Sequence, residues 1–159
     1  MEPLLAVIVG ELDVDLTRIE RCLERLPEES VWKRPRDGMN AVGNLCLHLA
    51  GNESHYVGHG IGRAEYVRDR PGEFRATGGF SSAQLVEKLR EARQLTRETF
   101  GKLSAADLDR PVEIDHPGDP TVLRLVLHVF EHYAYHTGQI VLLTRWLQAS
   151  DERVLEWGH

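Results

Sequence analysis

Long hydrophobic runs are missing from this sequence, and the apolar stretch nearest its start, Leu4 to Val9, is short. It follows Glu2 rather than a lysine or arginine and is itself followed by acidic residues. It therefore predicts neither a signal peptide nor a membrane span. Cysteine is also scarce, since only Cys22 and Cys46 are present. In a chain without a secretion signal this is typical of reduced core thiols, so we expect a cytoplasmic protein with no membrane partner.

Basic residues are outnumbered by acidic ones, 19 against 25, and the formal net charge is −6. A surface that follows a nucleic-acid backbone needs an excess of lysine and arginine, so we expect no nucleic-acid partner. Low-complexity segments and internal repeats are absent as well. With 42% apolar and 28% charged residues, the composition predicts a single domain spanning residues 1–159 that folds without disulfides.

The spacing of apolar residues predicts four helices. Pro3 suits the first turn of one helix, and Ser81 with Gln84 three residues later forms the capping-box pattern that opens another. Apolar spacing in the second helix fades in the glycine-rich stretch 58–62. The predicted helices extend from Pro3 to Leu26, from Ala41 to Tyr56, from Ser81 to Phe100 and from Thr121 to Gln148.

The segments between the predicted helices contain glycine and proline and show no clear period. One of them, residues 61–80, leaves enough chain to travel the length of a bundle. No segment alternates with period two for long enough to suggest a sheet. The sequence therefore predicts an all-α fold, a four-helix bundle with a long crossover connection between helices 2 and 3.

Three histidines recur at four-residue spacing in the fourth predicted helix: His128, His132 and His136. Successive members are displaced by about 40° around the helix axis and about 6 Å along it, so they share one face. We predict that this face turns inward, where an unpaired polar ring costs about 1–3 kcal/mol. A metal ion would satisfy the rings, because two imidazoles at this spacing can bind one ion. The predicted inward stripe contains Leu125, His128, His132, Tyr135 or His136, Gln139, Leu142 and Trp146.

A third ligand would come from the second predicted helix, which offers His48, His55 and His59. His48 and His55 are about 10 Å apart along a helix, so they cannot both bind the same ion. His48 lies among leucines, whereas His55 and His59 lie toward the glycine-rich end of the helix. This setting favours His48 but leaves the other two histidines open as candidates.

This chain resembles the DinB-like metal-binding four-helix bundles over nearly its whole length. The resemblance lies in an apolar His48-Leu49 and a later His132-x-x-x-His136-Thr137-Gly138-Gln139. A narrower branch of that superfamily, of unknown function, is similar through His48-Leu49-Ala50-Gly51-Asn52 and through Arg68-Asp69-Arg70 to Glu73-Phe74. The resemblance implies that the metal ligands are His48, His132 and His136 and that His128 is not a ligand. Thr137 departs from the arginine often found at its position.

Structural roles compete with functional ones for most of these residues. His132 and His136 are alternatively core histidines bonded to tyrosines, and Tyr133 and Tyr135 are interpreted as packing residues. We interpret His55 and His59 as groups of a cleft or the surface. Glu53 and Glu131 are either solvated charges or outer partners of a ligand imidazole. Gly138 is expected to permit close helix approach. Arg63, Arg68 and Arg70 are candidates for a basic pocket, with a solvated loop as the default.

Three histidines leave one coordination position for water or substrate, as in catalytic metal sites. Imidazole suits Zn, Ni, Fe or Cu, and we favour Zn or Ni. The resemblance implies a metal-dependent hydrolase or a thiol-dependent transferase with a small-molecule substrate or thiol as partner. The alternative is a non-catalytic metal-binding or stress-associated module. The resemblance, together with apolar faces in excess of one bundle core, also leads us to expect a homodimer.

Overall fold

A computed structural model describes residues 1–148, 150 and 153–155, and this part of the chain is all-α, as predicted. The predicted domain 1–159 also includes residues 149, 151–152 and 156–159, which lie outside the described part. The α-helices are α1 (Pro3–Arg25), α2 (Glu28–Val31), α3 (Val42–Glu53), α4 (Arg70–Arg75), α5 (Ser82–Phe100) and α6 (Val122–Leu147). A π-helical segment, Ser54–Ile61, continues α3, and a 3₁₀ turn spans Ala105–Asp107.

Side-chain caps set the ends of the helices near the predicted positions. Ser81 accepts a hydrogen bond from the backbone N–H of Gln84, whose side chain accepts one from the backbone N–H of Ser81. Thr121 caps α6 by accepting from the N–H of Arg124. These bonds satisfy backbone donors that a helix start otherwise leaves unpaired.

The four long helices, α1, α3, α5 and α6, pack around a shared apolar core. In the described part, α3 contacts both α5 and α6, and α1 contacts the same two helices. The predicted crossover between the second and third long helices stays a prediction. None of the helices in the described part is long and apolar enough to cross a membrane. The largest fully buried side chains include Leu5, Leu12, Ile19, Leu45, Leu49, Leu85, Leu89, Phe100, Leu125, Tyr133 and Ile140.

Cys22 and Cys46 are both buried and unpaired in this core, as expected for reduced thiols. Burial raises the pKa of the Cys22 thiol to about 11, and burial also raises the pKa of Cys46. A thiol must lose its proton to bind a metal or attack an electrophile. These cysteines are therefore packing residues.

The second predicted helix does not end before the glycine-rich stretch but continues through it as the π-helical segment Ser54–Ile61. A Cβ atom on Gly58 would lie 2.3 Å from Leu95 Cδ2, and one on Gly60 would lie 2.8 Å from Ile114 Cδ1. The prediction was wrong here because these glycines permit close packing rather than ending the helix. π-Helical segments are frequent at functional sites.

The predicted connection 61–80 contains a short helix, α4, which the sequence analysis missed. Asp69 caps it by accepting from the N–H of Gly72. Its six residues are too few to show a helical period. Asn44 Nδ2 anchors its C-terminal end by donating to the backbone oxygens of Glu73 and Ala76, at 2.9 and 2.8 Å.

The predicted inward stripe of the last helix is correct only in part. Leu125 is buried, but Leu142 and Trp146 are 69% and 59% exposed. Each four-residue step along a helix rotates by about 40°, so a line of such steps drifts off the buried face. The C-terminal half of α6 instead buries Ile140, Leu143 and Thr144. Consequently, His128, His132 and His136 are half-buried and lie at the edge of the core rather than at its centre.

Candidate metal centre

The structure brings together the three histidines expected to bind a metal. His48 of α3 is only 4% exposed, and its Nε2 lies 2.9 Å from Nε2 of His132 on α6. The ring centroid of His136 lies 4.4 Å from that of His132 and 5.1 Å from that of His48. One ring nitrogen from each histidine lies within 4.8 Å of those of the other two. The cluster could therefore hold one metal ion.

Two of the rings are held by hydrogen bonds at their other nitrogen. His48 Nδ1–H donates to Glu73 Oε2 at 2.8 Å, and His136 Nδ1–H donates to Gln139 Oε1 at 2.7 Å. Since the acceptor oxygens carry no proton, these bonds assign the single proton of a neutral ring to Nδ1, and Nε2 of that tautomer has a lone pair. His132 Nδ1 is buried and has no hydrogen-bond partner among the residues that the structure describes. Lone pairs on neutral imidazoles are the form that binds a metal.

Glu73 is in turn held by Arg68, which was a candidate for a basic pocket, whereas no role had been predicted for Glu73. Arg68 donates through Nε to Oε1 at 2.7 Å and through Nη2 to Oε2 at 2.9 Å. Burial alone would raise the pKa of Glu73, but the hydrogen bonds from His48 and Arg68 outweigh burial and lower it. Arg68 was interpreted by default as a solvated loop residue, which is wrong because its side chain is buried against Glu73.

Burial governs the protonation of the other two rings. It lowers the pKa of His132 to about 3, with further lowering from the positive charges that His136 and His48 would carry. Burial also lowers the pKa of His136, although the hydrogen bond to Gln139 opposes it. Both imidazoles are therefore neutral near pH 7. A cluster of imidazoles with converging nitrogens fits Zn, Ni, Fe or Cu, the ions that this ligand type suits.

His128, His55 and His59 lie outside the cluster. The His128 ring stacks on His132 at 5.6 Å between centroids, and its Nε2 lies 3.4 Å from Asn52 Nδ2. His55 stacks on His59 at 5.9 Å. His128 therefore adjoins the cluster without belonging to it. On the π-helical segment, the Tyr56 ring packs against the His128 ring with centroids 4.7 Å apart.

Glu53 is a buried ion-pair partner rather than a solvated charge or an outer partner of a ligand imidazole. It is fully buried and accepts from Arg93 Nε at 2.8 Å. The Arg93 guanidinium also lies over the Tyr133 ring, 4.8 Å from its centroid. Tyr133 is fully buried, as expected for a packing residue. The solvated interpretation of Glu53 was wrong because the partner lies on α5, which sequence spacing alone does not place beside α3.

Three other residues near the histidines face outward. Tyr135 is 63% exposed and contacts His136 with ring centroids 5.0 Å apart. Glu131 is exposed, in agreement with a solvated charge. Gly138 is also exposed, and a Cβ atom there would meet nothing within 4 Å. The prediction that Gly138 permits close helix approach was therefore wrong.

Comparisons with known proteins show which family and which folds this chain is similar to. A family model described as the DinB superfamily matches residues 11–140. A conserved protein from Enterococcus faecalis has a similar structure, with a TM-score of 0.76 at 15% identity, covering 92% of this chain and 98% of that one. No curated protein sequence matches significantly.

Two DinB-like proteins are also structurally similar, both at 15% identity. The one from Bacillus cereus has a TM-score of 0.68 and covers 87% of this chain and 89% of its own. The one from Bacillus subtilis has a TM-score of 0.65, with 92% and 94% covered. At this identity the likeness shows the fold alone.

Proposed function

Since this chain belongs to the DinB superfamily, we propose that it binds one divalent transition metal through His48, His132 and His136. The observation that carries this proposal is the pairing of Nδ1 in His48 and His136 with acceptor oxygens, which leaves their Nε2 atoms as lone-pair donors. Metal-binding histidines typically donate their other N–H in this way. Zn and Ni are the ions we favour.

Three protein ligands would leave a coordination position free for a small molecule. Structural zinc sites are normally closed by four protein ligands, whereas catalytic ones keep a position open. When bound, the ion would supply Lewis-acid chemistry, activating water or polarising a carbonyl. The chain itself supplies three imidazoles, a ligand type that adds no negative charge to offset the charge of the ion. We therefore propose an enzyme that acts on a small molecule.

Of the two enzyme classes, we place metal-dependent hydrolysis first, because two of the three candidate arginines for a thiol pocket already have partners. A thiol-dependent transferase would need a basic pocket for an anionic thiol. Arg68, one candidate for that pocket, is engaged by Glu73, and the Arg70 guanidinium lies over the Phe74 ring, 5.2 Å from its centroid. The transferase is therefore the second candidate. A non-catalytic metal-binding or stress-associated module is the alternative outcome.

The test is a metal-dependent activity measurement on small chromogenic esters, amides and phosphate esters. Metal-free protein, protein reloaded with one equivalent of Zn²⁺ or Ni²⁺, and His132→Ala treated identically would be compared. Hydrolysis that requires the ion and is lost in His132→Ala supports the enzyme. Stoichiometric metal binding with no turnover of any substrate, and no thiol transfer, supports the non-catalytic module.

We also propose that the chain forms a homodimer through the outer faces of α1 and α6. These two helices contact each other, and both present large exposed apolar side chains. Scattered apolar side chains are ordinary on a surface, but a concentration on adjacent helices is typical of an interface. The exposed members are Leu4, Val7 and Val14 on α1, and Leu127, Tyr135, Leu142 and Trp146 on α6.

A further inference from the structure

The geometry points to Glu73 as a positioning residue of the metal centre, which holds His48 so that Nε2 faces the ion. This inference rests on the proposed metal site. Glu73 contacts the ligand ring and not the space between the three histidines, because its Oε2 accepts from His48 Nδ1. The carboxylate would fix both the tautomer and the orientation of His48. No other ring of the cluster has a carboxylate partner among the described residues, since His136 pairs with the Gln139 amide.

Gly51 makes this contact sterically feasible. It lies on α3 three residues after His48, and a Cβ atom there would be 2.2 Å from Glu73 Oε1 and 3.0 Å from Glu73 Cδ. Heavy atoms do not approach so closely, so an alanine at this position would displace the carboxylate. Glycine at residue 51 therefore leaves the space that the Glu73 carboxylate occupies.

The segment that carries Glu73 is itself anchored to α3 and to the chain before it. Asn44 Nδ2 donates to the Glu73 backbone oxygen, and Arg34 Nη2 donates to the backbone oxygen of Phe74. The Phe74 ring packs against the His48 ring at 4.6 Å between centroids, tilted by 43°. Residues 73 and 74 thus constrain His48 by a hydrogen bond and by ring contact. A partner held in this way loses little freedom when the ion binds.

Arg68 holds the carboxylate in place. Its two hydrogen bonds reach both oxygens of Glu73, and a bidentate arrangement of this kind fixes orientation as well as charge. Arg68 Nη2 also lies 3.1 Å from His48 Nδ1. Because a guanidinium has no acceptor atom, the His48 proton is assigned to the bond with Glu73. Arg68, Glu73 and His48 therefore form one ordered chain of donors and acceptors.

The experiment measures Zn²⁺ affinity by competition with a chromogenic chelator in the wild type and in Glu73→Gln, Glu73→Ala and Gly51→Ala. Loss of an outer hydrogen-bond partner typically weakens metal binding by about 10- to 100-fold. We expect a loss of this size for Glu73→Ala and Gly51→Ala. A smaller loss is expected for Glu73→Gln, whose amide oxygen can still accept from His48. Glu131→Gln, which removes an exposed carboxylate beside His132, is the matched control and should bind like the wild type.

A second readout separates positioning from folding and does not need the ion. In nitrogen-15 NMR spectra of the metal-free protein, His48 should be protonated at Nδ1 in the wild type, and this preference should be lost in Gly51→Ala and Glu73→Ala. If either variant fails to fold, the other supplies this comparison, and Glu73→Gln, whose amide oxygen can still accept from His48, should keep the preference for Nδ1.

Wild-type Zn²⁺ affinity in folded Glu73→Ala, with an unchanged His48 tautomer, would overturn the inference while leaving the metal site intact. A wild-type protein that binds no metal, but whose His48 tautomer depends on Glu73, would overturn the proposed function instead.

Discussion

His48 Nε2 and His132 Nε2 lie 2.9 Å apart although the two residues are separated by 84 positions in the chain. His48 Nδ1–H donates to Glu73, so in this tautomer the lone pair of His48 Nε2 faces His132. His132 Nδ1 is buried and has no partner in the described part of the chain, so its Nε2 can carry the proton that joins the two rings. A metal ion would take the place of that proton.

Removal of the metal should leave the helices intact. A domain of this size buries enough apolar surface to fold by itself, and Leu49, Leu89, Leu125 and other core residues are fully buried without help from an ion. Circular dichroism with and without a chelator at neutral pH should show the same helical signal. Metal should raise the melting temperature by mass action, worth about 2.7 kcal/mol at a hundredfold excess over the dissociation constant. Collapse of the helical signal on chelation would mean a structural site.

The metal-free protein should lose stability as the pH falls below about 6.5, the ordinary pKa of histidine. His132 has a folded-state pKa of about 3. Between this pKa and the ordinary one, His132 therefore binds a proton in the unfolded chain but not in the folded one. The contribution of His132 to the free energy of unfolding is fully present above the ordinary pKa and is lost as the pH falls through this window. The lowered pKa values of His136 and His128 act in the same direction.

Urea unfolding at several pH values across that window checks this prediction. His132→Gln, which cannot titrate there, should flatten the pH dependence. An equally steep dependence in His132→Gln would show that other groups cause it.

Breaking the buried ion pair between Glu53 and Arg93 should destabilise the protein strongly. Both side chains are buried, so removing one leaves an unpaired charge away from water, which costs about 3–5 kcal/mol. Arg93→Ala should therefore reduce the free energy of unfolding by that amount in denaturant titrations. The control is Arg90→Ala. Arg90 lies on α5, like Arg93, but it is exposed where it pairs with Glu20 of α1, so its loss should change stability little. Equal effects of the two substitutions would contradict the structural role of Arg93.

Self-association should depend on the exposed apolar side chains of α6. Sedimentation at micromolar concentration should give a dimer, and Leu142→Asp should shift it to monomer because a buried unpaired carboxylate is costly. Val67→Asp, a change at an exposed apolar residue that belongs to neither α1 nor α6, is the control. A wild type that sediments only as monomer would remove the dimer.

Local patterns predicted much of the fold, because caps and apolar spacing act within a few residues. The Ser81–Gln84 cap and the bounds of α6 are examples. The Glu73 contact was not predictable in this way, because it joins positions 25 residues apart and depends on how a six-residue helix docks. Glu53 and Arg93 are 40 residues apart. Charged residues carry no sign of burial in the sequence, so such partners emerge only from tertiary packing. The histidine spacing on α6 predicted that these rings share one face, and the resemblance to the DinB-like bundles selected His132 and His136 as the pair beside His48.

Metal titration of the ligand variants tests the central claim most directly. Isothermal calorimetry with Zn²⁺ or Ni²⁺ on chelator-treated protein should show one ion per chain. His132→Ala and His136→Ala should each abolish tight binding, and His48→Ala should weaken it greatly, because each removes one of three converging nitrogens. His55→Ala should bind like the wild type, since His55 lies outside the cluster. Unchanged binding in His132→Ala, or a greater loss in His55→Ala than in His48→Ala, would contradict the three-histidine site.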